Sequence, residues 1–474
     1  MRSILNADSC CWEGHASRSH VIIDACAYYA AFHAAASVAQ RYILLAGWQF
    51  DTGVRLLRGA RAEASPYPAE FLPFLNALCR QRPQLRVYIL AWDYSLVYSL
   101  EREWLQGLKF AFQSSDSIRF EFAAHPSIGG SHHQKLVVID GALAFVGGMD
   151  ICDERWDERS HAGLHPHRIN SAGVSCRPNH EVQSAVAGPA AEVLAEQFAE
   201  RWQAAVGERL LLEPYPASPA ASIDLIAIDD DAVMPLSAER VAIARTLPAT
   251  GVSPVCEVKA AFSAALSAAE RLIYVETQYF TSRSITSVLL DRLRDPNKPR
   301  LQVLILMPRG ADNSKEKFAL GDLQASALSE LEQAAETHGH DLRFLCSAID
   351  GDDCGSATFI HSKVLMVDDE LLCIGSANMT ERSMSLDSEL CLLWQAERGS
   401  GLAADIARVR ASLLAEHAGR TPEELMDATE LTRKLDEWLS SNASRLRVCH
   451  FDPVSVSPIK EAIFDPAEGV DLFR

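Results

Sequence analysis

The sequence has no uninterrupted apolar run of the roughly 18–20 residues that a bilayer-spanning helix requires. Its most apolar stretch, residues 25–40, is rich in alanine, but it contains His33 and Ser37 and is followed by Arg41. This pattern predicts a buried helix rather than a membrane span.

A secretion signal is also missing from the N-terminus, where Asn6, Asp8 and Glu13 interrupt any apolar core. Secretion by the general route is therefore not expected. The expected location is the cytoplasm or the periphery of a membrane, and export by a specialised system remains open.

Basic residues are in deficit, since 44 Lys and Arg face 63 Asp and Glu and the net charge is −19. Non-specific nucleic-acid binding draws most of its affinity from phosphate neutralisation by basic groups. The balance argues against a nucleic-acid partner, and a nuclease of this composition would need a local basic groove.

The twelve cysteines lack the paired CxxC spacing of a zinc site. Four histidines cluster between Trp156 and Glu181, but their spacing is irregular and they have no partner cysteines. A zinc site stays open as an alternative, but the pattern favours no metal, and we expect these histidines to be polar residues of a lid over an active site. The four are His161, His165, His167 and His180.

The chain contains an internal repeat. Residues 41–50 resemble residues 271–280, and each segment ends a predicted strand with a Gln followed at once or nearly so by Phe. His133 and His361 are 228 residues apart, and Gln49 and Gln278 are 229 apart. Such constant offsets predict a duplicated domain.

Helical and strand patterns alternate in both copies, which predicts an α/β fold of two similar sandwich halves with mixed β-sheets. We expect an N-terminal half over residues 1–212, a proline-rich linker over 213–254 and a C-terminal half over 255–474. Residues 403–418 and 422–440 have helical periodicity, and Thr421 before Pro422 is a predicted N-cap.

A His-x-Lys pair occurs once in each half, as His133 with Lys135 and as His361 with Lys363. On a strand, residues i and i+2 point to the same face, so each imidazole is expected beside its ammonium group. His132 would then point to the opposite face and is not expected to be catalytic.

Both pairs belong to a longer pattern, HxKx4Dx6G(G/S)x(D/N), which occurs twice and resembles the motif of the phospholipase D superfamily. Its remaining positions are Asp140, Gly147, Gly148 and Asp150 in the first copy and Asp368, Gly375, Ser376 and Asn378 in the second. The resemblance implies two halves related by a pseudo-twofold axis, with the active site at their interface.

The resemblance also implies a phosphodiester reaction through a covalent phosphohistidine. His133 would be the nucleophile and His361 the general acid and base. One histidine must then be neutral and the other protonated, which requires environments that shift their pKa values apart. Lys135 and Lys363 would neutralise the phosphate oxygens.

Further roles follow from the same resemblance. Asn378 and Ser376 would hydrogen-bond the phosphate, and Glu181 and Glu389 would accept a hydrogen bond from a catalytic histidine. Gln278 would lie at the edge of the site. The remaining motif carboxylates, Asp140, Asp368 and Asp150, are expected to be structural.

Residues 148–157 resemble the GGxDLCDGRxD stretch of eukaryotic-type members that cleave phospholipids, with Glu154 in place of glycine. This implies that Gly148, Arg155 and Trp156 contact the substrate. The expected substrate is a glycerophospholipid at a membrane surface, and the acceptor is water or a primary alcohol. The resemblance implies no cofactor and no metal for the chemical step.

Three alternatives stay open at this point. A nuclease-like phosphodiesterase and a cardiolipin-synthase-like phosphatidyltransferase would both keep the two motifs. A non-catalytic scaffold would form no phosphoenzyme at all.

Overall fold

The computed structural model describes residues 4–93, 106–215, 217–249, 253–309, 314–349, 357–441, 444–449 and 465–466, with the backbone alone for 314–319. In these ranges the strands are β1 (Trp12–His15), β2 (Arg18–Ile23), β3 (Tyr42–Gly47), β4 (Arg86–Trp92), β5 (Ile118–Ala123), β6 (Leu136–Ile139), β7 (Leu143–Gly147), β8 (Asn179–His180), β9 (Val182–Ala187), β10 (Val233–Leu236), β11 (Arg240–Leu247), β12 (Val255–Cys256), β13 (Leu272–Glu276), β14 (Gln302–Leu306), β15 (Asp341–Ser347), β16 (Phe359–Ile360), β17 (Val364–Val367), β18 (Leu371–Gly375), β19 (Glu389–Gln395) and β20 (Leu446–Val448).

The α-helices of the same ranges are α1 (Asp24–Ser37), α2 (Ala60–Ala64), α3 (Phe71–Gln81), α4 (Gln106–Gln113), α5 (Pro189–Val206), α6 (Glu257–Ala268), α7 (Arg283–Arg294), α8 (Ser314–His338), α9 (Glu381–Ser385), α10 (Gly401–Ala418) and α11 (Leu431–Ser440). Short 3-10 helices are Pro219–Ser222, Ile226–Ile228 and Pro422–Leu425. None of the helices in the described part of the chain is both long enough and apolar enough to cross a membrane.

Two mixed sheets form the framework. The first has the order β10-β2-β9-β7-β6-β3-β4-β5 and the second the order β1-β11-β19-β18-β17-β13-β14-β15-β20. In each sheet three successive strands are parallel, β3-β4-β5 and β13-β14-β15, and the next neighbour, β6 or β17, is antiparallel. The same order of six strands thus occurs twice, and the predicted α/β class with two mixed sheets is confirmed.

The sheets pack face to face through β7 and β9 on one side and β18 and β19 on the other. Phe145 and Val146 share one hydrophobic core with Leu372 and Ile374. Burial of such side chains is the main favourable contribution to folding, so the two halves are stabilised by a common core.

Segments exchanged between the sheets reinforce this packing. β1, near the N-terminus, pairs with β11 of the second sheet, and β10 pairs with β2 of the first. The proline-rich segment 213–254 therefore contains strands of both sheets as well as loops. The division at 1–212, 213–254 and 255–474 remains a proposal about domain organisation.

Local signals agree with several helix boundaries. The alanine-rich stretch predicted as a buried helix forms α1, whose alanines are buried except for the half-buried Ala34. Thr421 is the N-cap as predicted and forms a capping box with Glu424, but only a 3-10 turn follows. The predicted helix over 422–440 is interrupted where the amide of Thr429 donates to Asp427 Oδ1 at 2.8 Å, and α11 starts after this turn.

Candidate active site

The two His-x-Lys pairs were predicted to lie on strands, but they lie in the segments just before β6 and β17. The reason is that their backbone amides pair with the other half. The amide of His133 donates to Ser388 O at 2.9 Å, and the amide of His361 donates to His180 O at 3.0 Å. Each histidine is therefore positioned beside the residue that follows its partner, which is Glu389 or Glu181.

The pairing is continued on both sides of the interface. β16, which leads into His361, runs parallel to β8, which leads into Glu181. In the other copy, His132 forms a parallel bridge to Ser388, which precedes Glu389. The duplicated fold thus holds each histidine of one half against a carboxylate of the other half.

Glu389 hydrogen-bonds the histidine of the first half. His133 Nδ1 lies 3.1 and 3.0 Å from the two carboxylate oxygens. Ser376 Oγ donates to the same carboxylate at 2.5 Å and Ser383 Oγ donates at 2.7 Å. Glu389 is fully buried, so these three donors compensate for its lost hydration.

Glu181 is placed in the same way against the second histidine. His361 Nδ1 lies 2.7 Å from Glu181 Oε1, which is an ion-pair distance without hydrogen-bond geometry. In both halves the carboxylate faces Nδ1, so Nε2 is the ring nitrogen on the side away from the carboxylate. This is the arrangement that orients an imidazole for reaction at Nε2.

Both lysines are buried and bent back onto their own motif. Lys135 Nζ donates to His133 O at 2.9 Å and lies 3.3 Å from Asp150 Oδ2. Lys363 Nζ donates to His361 O. Burial lowers the pKa of Lys363 to about 7, with Lys135 contributing repulsion.

The two histidines share one electrostatic environment. Burial, reinforced by Lys135 and Lys363, holds the pKa of His133 well below its ordinary value. Burial and the charges of Lys363 and Arg155 do the same to the pKa of His361. Both pKa values are therefore lowered, and environments that shift them apart remain an expectation of the proposed reaction.

Burial also acts on the two carboxyls, raising the pKa of Glu389 to about 7 and the pKa of Glu181 above its ordinary value. The cause is the cost of a charge away from water, which disfavours both the carboxylate and the imidazolium. An incoming phosphodiester brings negative charge, which favours protonation of an imidazole. A bound phosphodiester would therefore contribute to different protonation states of the two histidines.

Asp140 and Asp368 both anchor the chain that enters their sheet. The side chain of Asp140 accepts hydrogen bonds from the amides of Gln40, Arg41 and Tyr42 at 2.8–3.0 Å. Asp368 accepts from the three equivalent amides at 2.7–2.8 Å, namely those of Glu270, Arg271 and Leu272.

Other predicted residues surround the two pairs. Asp150 Oδ1 accepts from the amide of Trp48 at 2.8 Å. A Cβ added to Gly148 would lie 3.1 Å from Glu181 Oε2 and 3.2 Å from Lys363 Cδ, so this glycine permits close approach of the halves. Asn378 is buried, and its Oδ1 accepts no hydrogen bond from the described residues.

Three predicted residues contact other side chains of the protein. The hydroxyl of Ser376, expected against the phosphate, donates to Glu389. Gln278 Nε2 donates to Tyr279 Oη at 2.8 Å. The ring of Trp156 packs against Arg58 at 4.6 Å and His165 at 5.4 Å, so its predicted contact with substrate remains a prediction.

The lid expected from the four clustered histidines is wrong for two of them. His161 and His180 are only 1% and 0% exposed and contact carboxylates of the protein interior. His165 lies in the loop beside Glu158, with its Nε2 3.1 Å from Oε1.

Sequence reasoning missed two residues of the site. Ser383, near the start of α9, donates to Glu389, and Trp48 packs edge-on against His133 with ring centres 5.5 Å apart. Trp48 directly precedes Gln49, so the repeat that singled out this glutamine pointed to the segment but not to the residue. Ser383 lies outside both copies of the motif.

The chain is similar to known proteins over most of its length. Residues 35–289 match the family described as phospholipase D, and residues 262–409 match the family described as cardiolipin synthase, PLD-like domain. The chain is 24% identical to phospholipase D alpha 2 of Oryza sativa subsp. japonica, over 86% of this chain and 66% of that protein. It is 24% identical to phospholipase D alpha 1 of Ricinus communis, over 84% of this chain and 65% of that protein.

The chain thus spans about 65% of the length of these curated relatives. The crystal structure of phosphatidylserine synthase from Haemophilus influenzae Rd KW20 has a similar fold, with a TM-score of 0.55 and 14% identity over 91% of this chain and 95% of that one. The match to the phospholipase D family covers more than half of the sequence, and the chain belongs to the phospholipase D superfamily.

Proposed function

We propose that this protein is a phospholipase D-type phosphodiesterase that hydrolyses glycerophospholipids, phosphatidylcholine among them, and transfers the phosphatidyl group to primary alcohols. The observation that carries the proposal is the convergence of the two motifs. Each histidine lies against a carboxylate of the other half, and both ammonium groups lower the pKa of both imidazoles, which supports one shared site at the interface.

His133 is the proposed nucleophile. Its Nδ1 faces Glu389, which leaves Nε2 to attack phosphorus. A bond forms between Nε2 and phosphorus while the bond to the headgroup oxygen breaks. His361, protonated once the anionic phosphate is bound, gives its proton to the departing alcohol. The product of this step is a phosphatidyl-histidine.

The second step regenerates the protein. His361, now neutral, takes a proton from water, whose oxygen attacks phosphorus and displaces His133. Phosphatidic acid is released when water is the acceptor, and a phosphatidyl alcohol is released when a primary alcohol replaces it. Lys135, Lys363 and the amide of Asn378 would stabilise the charge on the non-bridging oxygens.

The supporting residues have three roles in this scheme: they orient the histidines, hold Lys135 or stabilise the sheets. Glu389 and Glu181 orient the histidines, and Ser376 and Ser383 hold Glu389. Asp150 holds Lys135, while Asp140 and Asp368 stabilise the sheets. The 2.5 Å hydrogen bond from Ser376 Oγ to Glu389 supports a role at the carboxylate rather than at the phosphate.

Release of choline and phosphatidic acid from phosphatidylcholine vesicles containing ethanol tests the proposal. Wild type is expected to form phosphatidic acid and phosphatidylethanol, and His133→Ala and His361→Ala are expected to form neither. His132→Ala is the matched control, because this neighbour contacts Ser388 and Ala124 instead of the paired carboxylate.

Two results would redirect the proposal. Cleavage of bis(p-nitrophenyl) phosphate and single-stranded DNA without lipid cleavage would retain the mechanism and replace the substrate. A protein inactive on all three substrates would contradict an enzymatic role.

A further inference from the structure

A second cluster of ligating side chains lies behind the proposed active site, and the reaction described above does not use it. Asp24 is the first residue of α1, His161 follows β7 in a loop, and His180 ends β8. Glu416 comes from α10 in the C-terminal half. All four are buried, with 1%, 1%, 0% and 6% of their surface exposed.

The polar atoms of these four residues lie within 4.8 Å of one another, close enough to surround a small metal ion. Glu416 Oε1 lies 2.8 Å from His161 Nε2 and 2.7 Å from His180 Nδ1. Asp24 lies 3.5 Å from His161 Nε2 through Oδ2 and 3.3 Å from His180 Nδ1 through Oδ1. A tetrahedral zinc ion with bonds of about 2.0–2.1 Å separates its ligand atoms by roughly 3.3–3.4 Å, so the two contacts of Glu416 would lengthen by about 0.6 Å when the ion binds.

Each imidazole is also held from its opposite side by a second carboxylate. His161 Nδ1 lies 2.9 Å from Asp157 Oδ2, and His180 Nε2 lies 3.1 Å from Glu276 Oε2. Metal-bound histidines characteristically donate their other N–H to a carboxylate, which fixes the tautomer and increases ligand basicity.

One oxygen of the cluster has no hydrogen bond. Asp24 Oδ1 accepts from the amide of Glu181 at 3.0 Å, but Oδ2 is buried and accepts none from the part of the chain that the structure describes. It points toward the cluster, where His161 Nε2 is 3.5 Å away. A buried carboxylate oxygen without a partner is costly, and a cation at this position would satisfy it.

The charges fit one divalent cation. Four carboxylates meet here, and the two arginines that contact them supply half of the balancing charge. The other half comes either from protonation of His161 and His180 or from one divalent ion bound to both neutral rings. The carboxylates are Asp24, Asp157, Glu276 and Glu416, and the arginines are Arg159 and Arg168.

We propose that Asp24 Oδ2, His161 Nε2, His180 Nδ1 and Glu416 Oε1 bind one zinc ion. Four protein ligands close the coordination shell, so the ion is structural rather than catalytic. Both rings bind the ion in their neutral form. The ion joins α10 of one half to α1 and β8 of the other.

The site also supports Glu181. The amide of Asp24 donates to Glu181 O at 2.9 Å, and His180 directly precedes this glutamate. The spacing of the histidines alone does not predict the site, because Asp24 and Glu416 are distant in sequence.

Metal content of the full-length protein tests the proposal, with purification that avoids metal-affinity resins and chelators and with zinc in the medium. Inductively coupled plasma mass spectrometry is expected to find about one zinc per chain in wild type. His161→Gln and Glu416→Gln are expected to lose it. His165→Gln, from the same loop, and His133→Gln, from the active-site pair, are expected to keep it.

X-ray absorption at the zinc edge of wild type keeps the test decisive if the variants fail to fold. Two imidazole nitrogens and two carboxylate oxygens are expected as the nearest shell, whereas a shell that contains sulfur would overturn the assignment. Wild type without zinc, or zinc retained by His161→Gln and Glu416→Gln and lost by His133→Gln, would also overturn it.

Discussion

Replacement of Glu389 by glutamine removes the charge opposite His133 while it preserves the shape of the side chain. In the native protein the carboxylate accepts from His133 Nδ1, Ser376 Oγ and Ser383 Oγ. An amide has only one acceptor oxygen, and its NH2 group can donate to Nδ1. The ring is then held as the tautomer that carries hydrogen on Nε2, which cannot attack phosphorus.

The size of the effect follows from the contact that is lost. A hydrogen bond to a charged group contributes about 1.5–3 kcal/mol. About 1.4 kcal/mol corresponds to a tenfold change in rate, so Glu389→Gln is expected to slow formation of the phosphohistidine by roughly 10- to 150-fold. In Glu389→Gln the buried hydroxyls of Ser376 and Ser383 also lose an acceptor. This loss is expected to lower the free energy of unfolding by about 1–3 kcal/mol.

Two substrates that differ in leaving group separate the role of Glu389 from that of Glu181. p-Nitrophenol leaves without protonation, whereas choline needs the proton from His361. Under single-turnover conditions Glu389→Gln is expected to slow both substrates to a similar degree. Glu181→Gln is expected to slow release of choline far more than release of p-nitrophenol.

The assignment of Glu389 to His133 and of Glu181 to His361 would be refuted if Glu389→Gln, and not Glu181→Gln, slowed the release of choline far more than that of p-nitrophenol. It would also be refuted if Glu389→Gln reacted at the rate of wild type. Urea denaturation of both variants establishes that the compared proteins are folded under assay conditions.

Three further predictions concern pH, close packing and the strand anchors. Glu389 and Lys363 both have pKa values of about 7. We therefore expect kcat/KM to rise with pH as Glu389 ionises and to fall as Lys363 loses its proton, which gives a bell-shaped profile with its maximum near neutrality. A flat profile from acid to alkaline pH would contradict this. Gly148→Ala is expected to reduce activity with little loss of stability. Gly375→Ala would place a Cβ 2.5 Å from a backbone carbonyl oxygen, so it is expected to lower the free energy of unfolding by about 1–3 kcal/mol in thermal melts. Equal stabilities of the two variants would contradict this. Three backbone amides donate hydrogen bonds to the carboxylate of Asp140. Asp140→Asn is therefore expected to lower the free energy of unfolding by about 1–3 kcal/mol, measured as a lower urea midpoint with an unchanged m value. An unchanged midpoint would show that Asp140 does not anchor the strand.

Much of the fold could be predicted from local patterns. The alternation of helix and strand and the constant offset between His133 and His361 predict two mixed sheets with the same strand order, and the structure has this order. The turn at Asp427 illustrates a limit, since helical periodicity continues across a short side-chain-capped break that only the folded chain displays.

Contacts between the halves could not be predicted in the same way. His133 and Glu389 are 256 residues apart, and their hydrogen bond exists only because the two sheets pack face to face. The sequence pattern identified both glutamates but not which histidine each one contacts. It also placed the histidines on strands, although their amides are committed to Ser388 and His180 of the opposite half.

Burial explains the remaining differences. A cluster of histidines in a loop-like sequence was expected to be exposed, yet His161 and His180 are covered by α1 and α10. Likewise, the burial of His133 and His361 lowers the pKa values of both, a common direction that the reaction by itself does not indicate.

The most direct test of the central claim is to locate the covalent intermediate. His361→Ala incubated with bis(p-nitrophenyl) phosphate lacks the base for the second step, so the modified histidine should accumulate. Mass spectrometry is expected to find the nitrophenyl-phosphoryl group on the peptide that contains His133. A label on any other residue, or no label together with a burst of nitrophenol, would contradict the account.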